Sequence, residues 1–211
     1  MNSRLSIELK FRLRDVAACA DLLSKAQCLR SNRDIDVYYD TRQNHALLLQ
    51  GHFIRVRNSR VLEFKLNPVD VHTHDRCIEE EFPLPLSESD VPRLECVCAQ
   101  TKVLSVPSSR CTFELFRTHN NLYDFVTIDK TRAKYLLGAY TLSLDTIEDL
   151  GTFLEIEYDT PNKQDSSTPA ILKEMHRLVE GMSLQEVNVG YVELMLLQHN
   201  PELYSLGRFK L

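Results

Sequence analysis

The sequence predicts an α+β fold in which eight β-strands close an antiparallel barrel, or tunnel, surrounded by helices. Three observations point there. Eight stretches read as strands and four as helices, within 211 residues that suit a single domain able to bury a real core. In five of the strand-like stretches, charged residues recur at every second position: Glu8-x-Lys10, Arg55-x-Arg57, Glu63-x-Lys65, Lys130-x-Arg132 and Glu155-x-Glu157. The residues between them are mostly apolar, as at Ile7, Leu9 and Phe11, or Leu62, Phe64 and Leu66. Alternate side chains of a strand share a face, so each of these strands has one charged and one apolar face.

The elements follow in order. Leu5–Leu13 alternates as a strand, and Asp15 is placed to cap a helix running to Leu29. Asp34–Asp40 reads as strand and Thr41–Gly51 as a loop or short turn. Phe53–Arg57 and Val61–Leu66 form a hairpin across Asn58-Ser59-Arg60. Arg76–Leu84 is a strand closed by Pro83 and Pro85, and Ser87–Ser105 is a helix with Pro92 near its first turn. Ser108–Asn121 fits helix or loop. Phe125–Tyr135, Ala139–Thr146 and Gly151–Tyr158 are three consecutive strands, and a polar linker follows at Asn162–Ser167. Thr168-Pro169 opens a helix reaching Gly181, and a last helix spans Val189–His199. The whole chain, 1–211, reads as one domain whose C-terminal helices, 168–199, pack on the barrel. The final helix, with Tyr191, Leu194, Met195 and Leu197, reads as barrel cover, with a homodimer contact as the other use.

Composition narrows the function. A net charge of −5 argues against a general nucleic-acid binder. No apolar run approaches the ~18 residues needed to span a bilayer. The six cysteines show no CxxC pair and no zinc-ligand rhythm, which predicts a cytoplasmic protein with reduced thiols and no membrane partner. Cys96 and Cys98, two residues apart on a predicted helix, do not share a face. His72, His74 and Cys77 read as a solvated loop, because no fourth ligand is nearby.

The charged strand faces decide the chemistry. On periodicity alone they fit a solvated sheet laced with cross-strand ion pairs. If helices instead cover the apolar faces, the charges line an enclosed lumen. Lys10, Arg55, Arg57, Lys65, Lys130 and Arg132 are then its cations, and Glu8, Asp145, Glu155 and Glu157 its carboxylates. At Lys130 the parity is imperfect, since Val126 and Ile128 share it, and a bulge would repair it. Burying unpaired charge is unfavourable by several kcal/mol per ion. An excess of cations therefore suits a polyphosphate, whose oxygens match guanidinium and ammonium groups. The carboxylates suit Mg²⁺ or Mn²⁺ bridging to those phosphates.

Five segments resemble the CYTH superfamily, the triphosphate tunnel metalloenzymes. They are SIELKF at Ser6–Phe11, YYDT at Tyr38–Thr41 with GHFIRVR at Gly51–Arg57, LEFKL at Leu62–Leu66, FVTIDKTRAKY at Phe125–Tyr135, and LDTIEDLGTFLEIE ending at Glu157. Each is weak alone, but they occur in the family's order. The resemblance runs from about residue 5 to 159 and implies an eight-stranded antiparallel tunnel that binds a triphosphate with one or two divalent metals. It places Lys10, Arg55, Arg57, Lys65, Lys130 and Arg132 on the phosphates, with Lys10, Lys65 and Arg132 acting in catalysis. It places Glu8, Glu155 and Glu157 on the metal, with Asp145 as a further ligand. Ser6 stands where the family carries its first glutamate, which weakens one metal position.

The expected activity is metal-dependent hydrolysis of tripolyphosphate or an organic triphosphate such as thiamine triphosphate. Conversion of ATP to cyclic AMP and pyrophosphate, as in class IV adenylyl cyclases, is the alternative on the same cradle. Ser6 supports a third reading, a non-catalytic polyphosphate- or nucleotide-binding module.

Overall fold

The computed structural model describes residues 5–67, 78–108, 110–160 and 168–211. Among these residues nine strands form one antiparallel sheet: β1 (Leu5–Leu13), β2 (Gln27–Thr41), β3 (Phe53–Arg57), β4 (Val61–Leu66), β5 (Ile78–Pro83), β6 (Leu122–Leu137), β7 (Tyr140–Ile147), β8 (Gly151–Thr160) and β9 (Leu184–Glu186). Their order across the sheet is β5-β4-β3-β2-β6-β7-β8-β1-β9. The eight expected strands are all present, and β9 is a three-residue addition on the edge of β1. Residues of β1, β2, β3, β4, β5, β6 and β8 line a single cavity. The sheet therefore curls round on itself, with its charged face inward.

Seven α-helices accompany the sheet among the described residues: α1 (Ala20–Ser24), α2 (Ala46–Gln50), α3 (Val91–Thr101), α4 (Phe113–His119), α5 (Thr168–Leu178), α6 (Tyr191–His199) and α7 (Pro201–Leu206). Two expected boundaries moved. Asp15 does cap, accepting from Ala17 N at 2.9 Å, but it caps a 3-10 turn that gives way to the short α1. Cys28, predicted helical, instead pairs with Tyr135, because the long partner strand β6 offers ladder hydrogen bonds that the helix end lacks. The Thr41–Gly51 loop contains α2, closed by Gly51 in the left-handed conformation. The ambiguous stretch before β6 holds α4, whose start is fixed by Thr112 Oγ1 accepting from Leu115 N at 3.2 Å. The terminal α7 starts at Pro201 with an Asn200 cap.

Three cores hold the molecule. On the outer face, Ile54, Val56, Leu62, Phe64 and Phe82 pack against α3 and against Phe116 of α4. Ile7, Leu9, Phe11, Leu142, Leu154 and Ile156 pack against Leu22 of α1 and Met175 of α5. These are the apolar halves of the alternating strands, covered by helices as the lumen reading requires. The third core lies on the inner face: Val126, Ile128, Ile147 and Phe153 pack against Tyr191, Val192, Leu194 and Leu196 of α6.

That inner core explains Lys130. The register runs unbroken from Asp36↔Ile128 to Asp34↔Lys130, and the bulge in β6 falls earlier, at the Tyr38/Tyr39 step of its partner. Val126, Ile128 and Lys130 do share the inner face. It is apolar where α6 fills it and charged beyond.

Candidate functional site

The cavity, of about 260 Å³, is too small for a macromolecule and suits a small polyanion. Lys10, Arg55, Arg57, Lys65, Lys130, Arg132, Glu8, Glu155 and Glu157 all line it. Asp145 does not. It is fully buried behind Arg132, with Oδ1 accepting from Arg132 Nε at 2.6 Å and Oδ2 from the Tyr191 hydroxyl at 2.9 Å.

The wall built by β2, β3 and β4 is a fixture for guanidinium groups. Asp36, fully buried, accepts from Arg57 Nε at 2.7 Å and from Arg55 Nη1 at 3.2 Å, and the Lys130 ammonium lies 3.4 Å away. Glu63 accepts from Arg55 Nε at 2.8 Å and pairs with Arg57 at 3.2 Å. Burial works against the Asp36 charge, but Arg55, Arg57 and Lys130 outweigh it and hold its carboxyl far below the usual range. Arg55 also donates to the Tyr38 hydroxyl at 2.9 Å. Burial, followed by the neighbouring Arg132 and Arg55, lowers the Lys130 ammonium to a pKa of about 8.

The opposite wall combines β1, β6, β7 and β8 with α6. Arg132 bridges Asp145 and Glu155. Lys10 lies 3.4 Å from both Glu8 and Glu155 and donates to the Val189 carbonyl at 3.4 Å. Its ammonium sits 4.5 Å from the centre of the Tyr191 ring, and that of Lys130 lies 5.5 Å from the same ring. Burial opposes the Lys10 charge, but Glu8 and Glu155 more than offset it and raise its pKa. Burial likewise opposes the Glu155 charge, yet Arg132 and Lys10 keep its carboxyl well below its ordinary value. Burial, with Glu155 and Asp145 adding to it, pushes the Tyr191 phenol well up.

Several site residues escape the strand-pair reading. Asp36 and Tyr38 sit in the alternation Asp34-x-Asp36-x-Tyr38, whose parity puts them on one strand face. Glu63 belongs to one of the recognised pairs, yet stands here as a guanidinium anchor. Arg30 and Lys134 also line the cavity. Tyr191 and Glu193 reach it from α6, which only tertiary packing reveals. Among the described residues the lining holds eight Lys or Arg and seven Glu side chains, so the expected surplus of cations is nearly cancelled there.

The oxygen donors suit a hard divalent cation in part. Glu8 stands directly opposite Glu157, and Glu155 is one strand step further along, opposite Lys10. Like charges in that position repel unless a cation lies between them. Among the described residues, no three Asp, Glu, His or Cys side chains are gathered as a ready-made cage. His72, His74 and Cys77 lie outside the described residues. Cys96 is exposed and Cys98 buried on α3, on different faces as expected. No described helix is long and apolar enough to cross a membrane.

The CYTH domain model matches residues 4–189 of the chain. No curated protein sequence matches. Solved structures share the fold. PH1819 from Pyrococcus horikoshii is 20% identical, with a TM-score of 0.66, over 92% of this chain and 99% of that one. An adenylyl cyclase candidate from Vibrio parahaemolyticus is 18% identical, with a TM-score of 0.59, over 92% and 99%. HpAC1 from Hippeastrum, an adenylyl cyclase candidate described as having a dominant triphosphatase activity, is 18% identical, with a TM-score of 0.59, over 94% and 98%.

Proposed function

From the premise that the chain belongs to the CYTH-domain family, we propose that it is an enzyme processing a triphosphate in this cavity, by hydrolysis of its terminal phosphoryl group. One observation carries the reading: Lys10, Arg55, Lys65 and Arg132, from β1, β3, β4 and β6, converge on one small cavity, each held by a carboxylate. Those carboxylates fix the rotamers of Arg55, Arg57 and Arg132 before any ligand arrives. Such pre-orientation removes the reorganisation penalty at the moment of reaction.

Arg55, Arg57 and Lys130 would bind the phosphate chain on the wall that Asp36 anchors. Lys10, Lys65 and Arg132 would meet the phosphoryl group under attack and spread the charge that develops on its oxygens. A water oxygen forms the new bond to phosphorus, the bridging P–O bond breaks, and the electron pair leaves with the diphosphate. Glu8 and Glu157, with Glu155 beside them, would hold Mg²⁺ or Mn²⁺, the remaining ligands coming from substrate oxygens, which suits an incomplete protein cage. When bound, such a cation supplies Lewis-acid polarisation of phosphate oxygens and offsets the Glu8–Glu157 repulsion. Asp145, with both oxygens engaged, serves to orient Arg132 and Tyr191.

Phosphate release from tripolyphosphate, thiamine triphosphate and ATP, with Mg²⁺ or Mn²⁺ and with cyclic AMP detection, tests the reading. The description of the Hippeastrum protein makes hydrolysis the first activity to assay. Cyclic AMP as the main product from ATP would assign the cyclase alternative. Tight triphosphate binding without turnover would assign a binding module, a second reading favoured by Ser6, which brings no negative charge to β1.

A further inference from the structure

Two cavity cations differ from the rest. Arg30 of β2 and Lys134 of β6 are direct ladder partners, and both line the cavity. Among the described residues neither has an ion-pair partner, whereas Arg55, Arg57, Lys130 and Arg132 each have at least one. Like charges directly opposite on neighbouring strands destabilise the pairing unless an anion lies between them.

Position adds direction. Lys130, Arg132 and Lys134 follow one another along the inner face of β6, each about 7 Å from the next. Exposure rises along the line: 3% for the Lys130 side chain, 15% for Arg132, then a half-buried Lys134 facing an exposed Arg30. The row leads from the α6-filled floor to the rim, and it extends further than three phosphoryl groups reach.

We propose that Arg30 and Lys134 form a rim subsite for an anionic group beyond the third phosphoryl, making linear polyphosphates of four or more phosphoryl groups the preferred ligand class. The proposal rests on the triphosphate reading of the cavity. The deep cations are already neutralised by carboxylates and serve any triphosphate. The rim pair rewards only a ligand that carries a further charge outward.

Calorimetric titration of the full chain with tripolyphosphate and tetrapolyphosphate, at fixed Mg²⁺, tests it. The wild type is expected to bind tetrapolyphosphate more tightly. Lys134→Met is expected to reduce the tetra-to-tri affinity ratio roughly tenfold, the scale of losing one charge-assisted contact. Arg30→Gln, at an exposed position, lowers the same ratio with little risk to folding, and Lys134→Arg preserves it. An unchanged ratio, or equal weakening for both ligands, would overturn the rim subsite while leaving the triphosphate reading intact. A wild type that binds neither ligand would overturn both.

Discussion

The two walls of the cavity solve the same electrostatic problem differently. The β2–β3–β4 wall buries one carboxylate, Asp36, among Arg55, Arg57 and Lys130, with Glu63 behind them. Its charges come from four neighbouring strands, β6 supplying Lys130, and form a closed local network. The β1–β8–β6 wall instead leaves Glu8 and Glu157 facing each other, and it borrows Tyr191 and the Val189 carbonyl from the far end of the chain. The first wall is a rigid holder of cations. The second sets two carboxylates opposite each other on neighbouring strands and is the side on which a divalent ion would sit.

Breaking the first wall should have the largest effect. Asp36→Ala leaves three cations together without their shared counter-charge and is expected to destabilise the fold by about 3–5 kcal/mol, read from urea denaturation. Glu157→Ala, on the second wall, should leave stability nearly unchanged, and that contrast is the comparison's sharpest form.

Lys130→Met should act in the opposite sense, raising stability by about 1–3 kcal/mol at neutral pH while weakening triphosphate binding. The Lys130 pKa falls from 10.5 to about 8 on folding. Between those values the unfolded chain holds the extra proton, so its contribution makes stability rise with pH. In the methionine variant that rise should disappear from denaturation curves collected across the window. A destabilised variant would instead show that its ion pair with Asp36 outweighs burial.

Glu157→Ala is expected to raise the Mg²⁺ or Mn²⁺ concentration for half-maximal activity roughly tenfold, on the scale of losing one ligand-shell partner. An unaltered metal titration would remove it from the ligand set. The smallest effect belongs to Tyr191→Phe, which deletes one hydrogen bond to Asp145 at a cost of about 1 kcal/mol. Its melting curve should move little while turnover falls through a less constrained Arg132.

Strand periodicity made the strands and their charged faces legible, and the CYTH resemblance is what pointed those faces into a tunnel. Residues such as Glu8, Lys10, Arg55 and Arg57 alternate with apolar neighbours, and a strand turns that pattern directly into a face. Asp36 was equally readable by parity, but its role depends on which cations surround it, and pairing between strands distant in sequence is not written locally. The early start of β2 reflects the same limit: Cys28 and Gln27 look helical until β6 supplies partners. Tyr191 carried no signal, since a helix that inserts into a lumen and one that merely covers a barrel have similar patterns. The near-neutral lining was missed because counting lumen charges requires knowing which carboxylates turn inward behind the arginines.

The Lys10–Val189 contact has a consequence for biogenesis. Residues separated by 179 positions meet there, and Val187 N also donates to the Lys10 carbonyl at 2.8 Å. The strand β1 must wait for the segment 187–189 before its lysine is seated. A nascent polypeptide emerging from the ribosome therefore carries no finished pocket until Val187 and Val189 have been made, and contacts of such long range favour slow maturation.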